Sequence, residues 1–199
     1  MQLPNRLFFT GCPGSRWSGI AQDLEHLDGV NISDHSPTRE YNHGQFSGHK
    51  GSYFGAGMEF SAELEHIPAA KIQQRLDEPW ADKGGMKILK SHEWAFQLPL
   101  IKKGFPDDWI MLVYRPTRES YTWWIQAGGF NITYPSYAVF KDYDAIFDQI
   151  VEQNKAILNF GFEHNVTWHH YSNKWVEDTF GQSVPDVKPC DNILVTVIK

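Results

Sequence analysis

Apolar positions fall into short runs and helical stripes that alternate from the N-terminus onward. Leu7-Phe8-Phe9-Thr10 is a compact apolar run between turn formers and reads as a strand buried on both faces. Beyond Gly11-Cys12-Pro13-Gly14-Ser15, residues Ile20, Leu24 and Leu27 recur at helical spacing, with Asp23 and Glu25 between them. That pattern predicts a helix starting at 15–18 and reaching Leu27. Residues 29–33 read as a second short strand and 34–57 as a polar, glycine-rich, irregular segment. A helical region interrupted by Pro68 is predicted over 61–76, then a turn at 82–85 and a strand over 86–92. Trp109–Tyr114 is the clearest buried strand, and a helix bearing Ser120, Thr122, Trp123 and Trp124 follows it directly. The remainder reads as loop at 131–138, helix at 143–160, strand at 165–171, short helix at 175–180, loop at 181–191 and strand at 193–198. Alternating strands and helices predict one α/β domain over residues 1–199, a parallel sheet flanked by helices on both faces.

A chain of 199 residues is long enough for such a core. Its net charge of −6 argues against a general nucleic-acid binder, which carries a basic face, but leaves room for a local anion site. No stretch approaches the length of a membrane span, and no basic start leads into a long apolar run. Cys12 and Cys190 do not make a disulfide framework. These features lead us to expect a cytoplasmic protein without a membrane partner. Three histidines in the irregular segment, His35, His43 and His49, lack the close spacing of metal ligands, so no metal is expected.

The start of the chain carries the most specific chemistry. Strand, glycine loop and helix together aim backbone N–H groups and a positive helix end at an anion. A Walker A loop counted from Gly11 fails, because Arg16 takes the later glycine position and Trp17 the lysine position. A phosphatase loop built on Cys12 fails as well, since Ser18 stands where its arginine belongs and Arg16 comes too early.

The loop from Thr10 to Ser18 resembles the 5′-phosphosulfate loop of sulfotransferases that use 3′-phosphoadenosine 5′-phosphosulfate, T-x-P-[KR]-[ST]-G-[ST]-[ST]. Pro13, Ser15 and Ser18 match, whereas Gly14 stands at the basic position and Arg16 at the glycine. Further on, Lys90-Ser91-His92 resembles the K-[TS]-H of cytosolic sulfotransferases, and Arg115-Pro116 with the following helix resembles their 3′-phosphate motif, R-[DN]-P, with one residue deleted. The stretch from His49 to Phe54, followed by Glu59, is similar to the K-E-x-H-[FY]-F of the carbohydrate sulfotransferases, with Gly51 at the glutamate position. The family's late basic loop has no counterpart, and Lys174 or Lys188 is the partial substitute.

The resemblance implies a P-loop NTPase-like three-layer fold and transfer of a sulfuryl group to a hydroxyl or amine of a small-molecule or carbohydrate acceptor. It also implies roles for individual residues. Pro13, Gly14, Ser15, Arg16, Trp17 and Ser18 would hold the 5′-phosphosulfate, and Arg115 with Thr122, or Ser120 as the alternative hydroxyl, the 3′-phosphate. His92 would be the general base, Lys90 the contact to the sulfuryl group, and Glu59 the substitute base. A nucleotide-binding protein that has lost activity and a nucleotide-dependent small-molecule kinase are the alternatives.

Overall fold

The computed structural model describes residues 2–43, 47–55, 58–59, 69–132, 138–184, 187–188 and 190–199. Side-chain alternation in its apolar runs determines how the central sheet is covered. Strand β1 (Arg6–Gly11) sends Leu7 and Phe9 into one apolar cluster and Phe8 into another. A second strand, Trp109–Tyr114, divides in the same way, with Met111 and Val113 against Ile110 and Leu112. Because both faces are buried, such strands read as continuous apolar runs.

In chain order the remaining elements are α1 (Trp17–Leu24), β2 (Glu40–His43), β3 (Ser47–Lys50), α2 (Ala69–Asp77), β4 (Lys87–Lys90) and α3 (Trp94–Gly104). After these come β5 (Trp109–Tyr114), α4 (Thr117–Gln126), α5 (Tyr143–Glu163), β6 (His169–Tyr171), α6 (Asn173–Phe180) and β7 (Cys190–Ile198). The five-stranded sheet has the order β4-β1-β5-β7-β6. β1 lies parallel to both β4 and β5, while β7 runs antiparallel to β5 and β6. The sheet is therefore mostly parallel, where a parallel one is predicted. One face packs against Ile20 and Leu24 of α1 and Trp175, Val176 and Phe180 of α6. Leu98 and Ile101 of α3, Ile157 and Phe160 of α5 and Leu76 of α2 cover the other.

Other departures from the sequence reading have local causes. The strand predicted at 29–33 reduces to a single parallel bridge, Val30 to Met86. There the Asn31 amide donates to the carbonyls of Asp82 (2.9 Å) and Gly84 (2.5 Å), making a turn in place of a ladder. Within the expected irregular segment, β2 and β3 pair antiparallel, with Tyr41 opposite His49. Polar residues on both strands of this hairpin hide it from an apolar pattern. α1 stops at Leu24, short of Leu27, and α5 runs on to Glu163. Only the last three residues of the strand predicted at 165–171 form β6, while β7 starts three residues earlier than expected. Pro68 and the segment around it lie outside the described residues, as does 133–137 of the expected loop. Among the described residues no helix is long and apolar enough to cross a membrane.

At the N-terminal ends of the strands, Arg6 bonds to Asp77 (2.7 Å) and Asp108 (3.2 Å), and Lys87 bonds to Asp77 (2.8 Å). This cluster ties α2 under β1 and β4. In open α/β sheets ligands bind at the opposite, C-terminal edge of the parallel strands.

Candidate functional site

Three neighbouring strand ends build the site: the loop after β1, His92 just after β4, and Arg115 just after β5. Segments that are 80 and 100 residues apart in sequence thus become adjacent in space.

The loop is shaped by two left-handed residues, Gly14 (φ 77°) and Arg16 (φ 66°). They flank Ser15, whose N–H closes the turn on the Cys12 carbonyl at 3.1 Å, and a turn of this kind can direct its remaining N–H groups into an anion-binding concavity. Arg16 is the N-cap of α1 and makes no side-chain cap bond, so the first N–H groups of α1, from Trp17 on, have no acceptor within the helix. Ser15 is fully buried, and its hydroxyl donates to the Cys12 carbonyl at 2.6 Å, holding the turn. Gly14 stands where the sulfotransferase loop that the sequence resembles has a basic residue. A Cβ placed there would sit 1.9 Å from the carbonyl oxygen of Ser120, so α4 leaves no space for a side chain. Gly14→Ala is expected to lower stability by at least about 1–2 kcal/mol, the cost of left-handed backbone for a residue with a Cβ, before the overlap is counted. Thermal unfolding of the variant checks this.

Arg16 accepts the same backbone strain, in the position where the loop it resembles has glycine. Its Nη1 donates to the Lys188 carbonyl at 2.7 Å, and its guanidinium lies 5.9 Å from the centre of the Tyr171 ring. Burial, reinforced by Asp23, pushes the Tyr171 phenol above its ordinary range, so it stays neutral and donates to the Asp23 carboxylate at 2.8 Å. Cys12 is likewise inert: burial raises its thiol to about 12, and its Sγ donates to the Ser120 hydroxyl.

His92 is buried on the wall of a pocket whose floor is the loop. Its Nδ1 lies 2.5 Å from the Gly11 carbonyl, which only accepts, so Nδ1 carries the proton. In the neutral ring the lone pair is then on Nε2, the state a general base requires. The Trp17 ring meets the imidazole edge to face at 4.6 Å, and the Tyr53 ring does so at 5.8 Å. Pro13, Gly14, Arg16, Trp17, Ser18 and His92 all line this pocket.

A second depression, beside the first, is lined by Arg115, Arg118, Thr122 and Trp123 among others, and Trp123 belongs to both. Arg115 Nη1 donates to the Gly14 carbonyl at 3.1 Å, coupling this groove to the loop. Its Nε is buried with no hydrogen-bond partner among the described residues, and burial pulls the guanidinium below its usual pKa. Such a group gains from an anion. Of the two candidate hydroxyls, Thr122 faces the groove, whereas Ser120 is fully buried and donates to the Arg115 carbonyl.

The remaining sequence candidates lie elsewhere. Lys90 is 2% exposed, and its Nζ bonds to Glu25 at 2.8 Å and to the Lys50 carbonyl at 2.6 Å, away from the pocket wall. Glu59 is engaged by the Arg39 guanidinium at 2.6 and 3.2 Å. Gly51 has φ 76°, and a Cβ on it would approach the Asp34 carboxylate to 2.4 Å, so no glutamate fits there. Lys174 pairs with Asp178 on α6. Lys188 reaches the site through its backbone, as the acceptor from Arg16.

Residues that the sequence reading missed form the far wall: Trp124, Ala127, Gly129, Ile132 and Phe140, with His49 and Tyr53 from the hairpin side. Ser120, Trp124 and Ala127 stand at i, i+4 and i+7 of α4 and its C-cap, one helical face, which is the signal that marks them. Among the described residues no group of three or more histidine, cysteine or carboxylate side chains is placed to hold a metal ion. Comparison with protein-family models, with curated proteins and with solved structures returns no match.

Proposed function

We propose that the protein is a sulfotransferase that moves a sulfuryl group from 3′-phosphoadenosine 5′-phosphosulfate to an acceptor hydroxyl, on a P-loop NTPase-like domain. The observation that carries this reading is the meeting of the glycine loop, His92 with its Nδ1 on the Gly11 carbonyl, and Arg115 with its unpaired Nε at adjacent strand ends. Two cysteines present as free thiols support a cytoplasmic location as part of the same proposal.

The fit to the nucleotide rests on the chain's own groups. Backbone N–H groups of Gly14 and of Arg16–Ser18, with the Ser18 hydroxyl, would meet the 5′-phosphosulfate, with the charge of Arg16 at its edge; the Ser15 N–H is spent on the Cys12 carbonyl at 3.1 Å. The Arg115 guanidinium lines the groove that would take the 3′-phosphate, and Thr122 adds a hydroxyl. When bound, the nucleotide supplies an activated sulfuryl group: the acceptor oxygen bonds to sulfur, the bond from sulfur to the 5′-phosphate oxygen breaks, and its electron pair leaves with adenosine 3′,5′-bisphosphate. His92 Nε2 takes the acceptor's proton. Trp17 and Tyr53 hold the imidazole in place, and positioning of this kind supplies much of the rate.

Arg115→Ala is expected to weaken adenosine 3′,5′-bisphosphate binding by about 10- to 150-fold, because a charge-assisted hydrogen bond is worth about 1.5–3 kcal/mol. Equilibrium dialysis measures it, and an unchanged affinity removes the 3′-phosphate assignment. Acceptor-dependent release of adenosine 3′,5′-bisphosphate tests the activity itself. A second reading, a nucleotide-binding protein without transferase activity, is favoured by the burial of Lys90 against Glu25. Nucleotide binding without release in the presence of any acceptor would select it.

A further inference from the structure

The wall opposite His92 bears on the acceptor, and, resting on the sulfotransferase reading, we infer that the pocket takes a small phenol, entered hydroxyl edge first, and rejects sugars. Trp124 is the centre of that wall. Gly129 lies flat on its indole, so close that a Cβ would come within 2.1 Å, while Phe130 meets it edge-on at 4.5 Å and Phe140 stands at 5.8 Å. The indole is thereby fixed before any ligand arrives, in the pocket that Trp17, Tyr53 and His92 also line. An aromatic ring finds edge and face partners there without ordering a mobile side chain.

Charge and size narrow the choice further. Among the described residues lining the pocket there is no aspartate, glutamate, asparagine or glutamine. A sugar brings a rim of hydroxyls that this wall leaves unpaired, and an ammonium group finds no carboxylate. The enclosed space is about 60 Å³, well below the ~150 Å³ of a cavity known to accept benzene. Only the leading edge of a ring enters, and the rest lies toward Trp123, which is 40% exposed at the mouth. A phenol also suits the catalytic groups. With Lys90 buried against Glu25, His92 acts as base without help from a lysine at the sulfuryl group, and a phenolic proton, with a pKa of about 10, is easier to take than that of a sugar alcohol. The phenolic oxygen bonds to sulfur, its proton passes to His92 Nε2, and the bisphosphate departs with the electron pair of the broken bond.

The test is binding of 4-nitrophenol and of methyl glucoside to the full chain by equilibrium dialysis, without and with adenosine 3′,5′-bisphosphate. We expect 4-nitrophenol to bind and methyl glucoside not to bind at equal concentration. Trp124→Ala should weaken the phenol by about 10-fold or more, from the loss of ring area and ring contact. Because Trp124 is buried and its truncation also tests the fold, Phe140→Leu serves as the milder change, with an expected loss of about 3- to 10-fold. Glucoside binding as tight as that of the phenol overturns the inference, as does phenol binding indifferent to both folded variants. Sulfation of the glucoside with no phenol bound would overturn the inference and leave the sulfotransferase reading intact. Phenol binding that is sensitive to these variants in a chain that ignores the bisphosphate would support the pocket assignment and overturn the reading.

Discussion

His92→Ala is expected to cut turnover by about 10²- to 10⁴-fold, the usual contribution of a positioned general base, while leaving the affinity for adenosine 3′,5′-bisphosphate unchanged. The split follows from where the ring's bonds go. Nδ1 bonds to the Gly11 carbonyl at the end of β1, and the ring sits between Trp17 and Tyr53, which makes Nε2 the basic nitrogen of the neutral ring. The nucleotide contacts belong to other residues, the loop backbone and Arg115. Exogenous imidazole should restore part of the rate in the alanine variant, an outcome that a merely structural histidine would not give. Full activity in His92→Ala would move the base to another group on the same wall, and His49 is the other imidazole there.

Lys90→Met is expected to destabilise the fold by about 3–5 kcal/mol, because it strands the Glu25 carboxylate in a buried site. Lys90 is 2% exposed, its ammonium pairs with Glu25 at 2.8 Å, and His35 lies 3.5 Å from the other carboxylate oxygen. Removing both charges together, Lys90→Met with Glu25→Gln, should recover most of the loss, since replacing a whole buried pair is often close to neutral. Urea unfolding of the two variants and the wild type gives the comparison. The double variant also separates two roles for the lysine. If Lys90 supports the strand end and does not touch the sulfuryl group, the refolded double variant keeps its turnover; loss of turnover at native stability would return Lys90 to the chemistry.

Much of the fold was legible where burial on both faces writes itself as an apolar run, as in β1 and β5, or where a stripe recurs every three to four residues, as in α5. The β2–β3 hairpin was not legible, because its residues are polar on both strands and carry no period-two signal. The antiparallel course of β7 leaves no trace in composition, since direction is decided by where the preceding chain arrives. For the site, the three motifs told which residues gather at the strand ends, but not which side chains remain available there. Ser15, Ser120 and Lys90 are spent inside the protein, on the Cys12 carbonyl, the Arg115 carbonyl and Glu25. Sequence spacing carries no record of such pairings, because each partner arrives from another element or another turn of the loop. Gly14 and Gly51, where the sequence departs from the motifs it resembles, are read in the same terms: Ser120 and Asp34 occupy the space that a side chain would need.

Calorimetric titration of the full chain with adenosine 3′,5′-bisphosphate, with ADP as the control in which one phosphate has moved, tests the central claim most directly. The account predicts tight binding of the bisphosphate, much weaker binding of ADP, and loss of the difference between them in Arg115→Ala. Equal binding of both, or of neither, would contradict it.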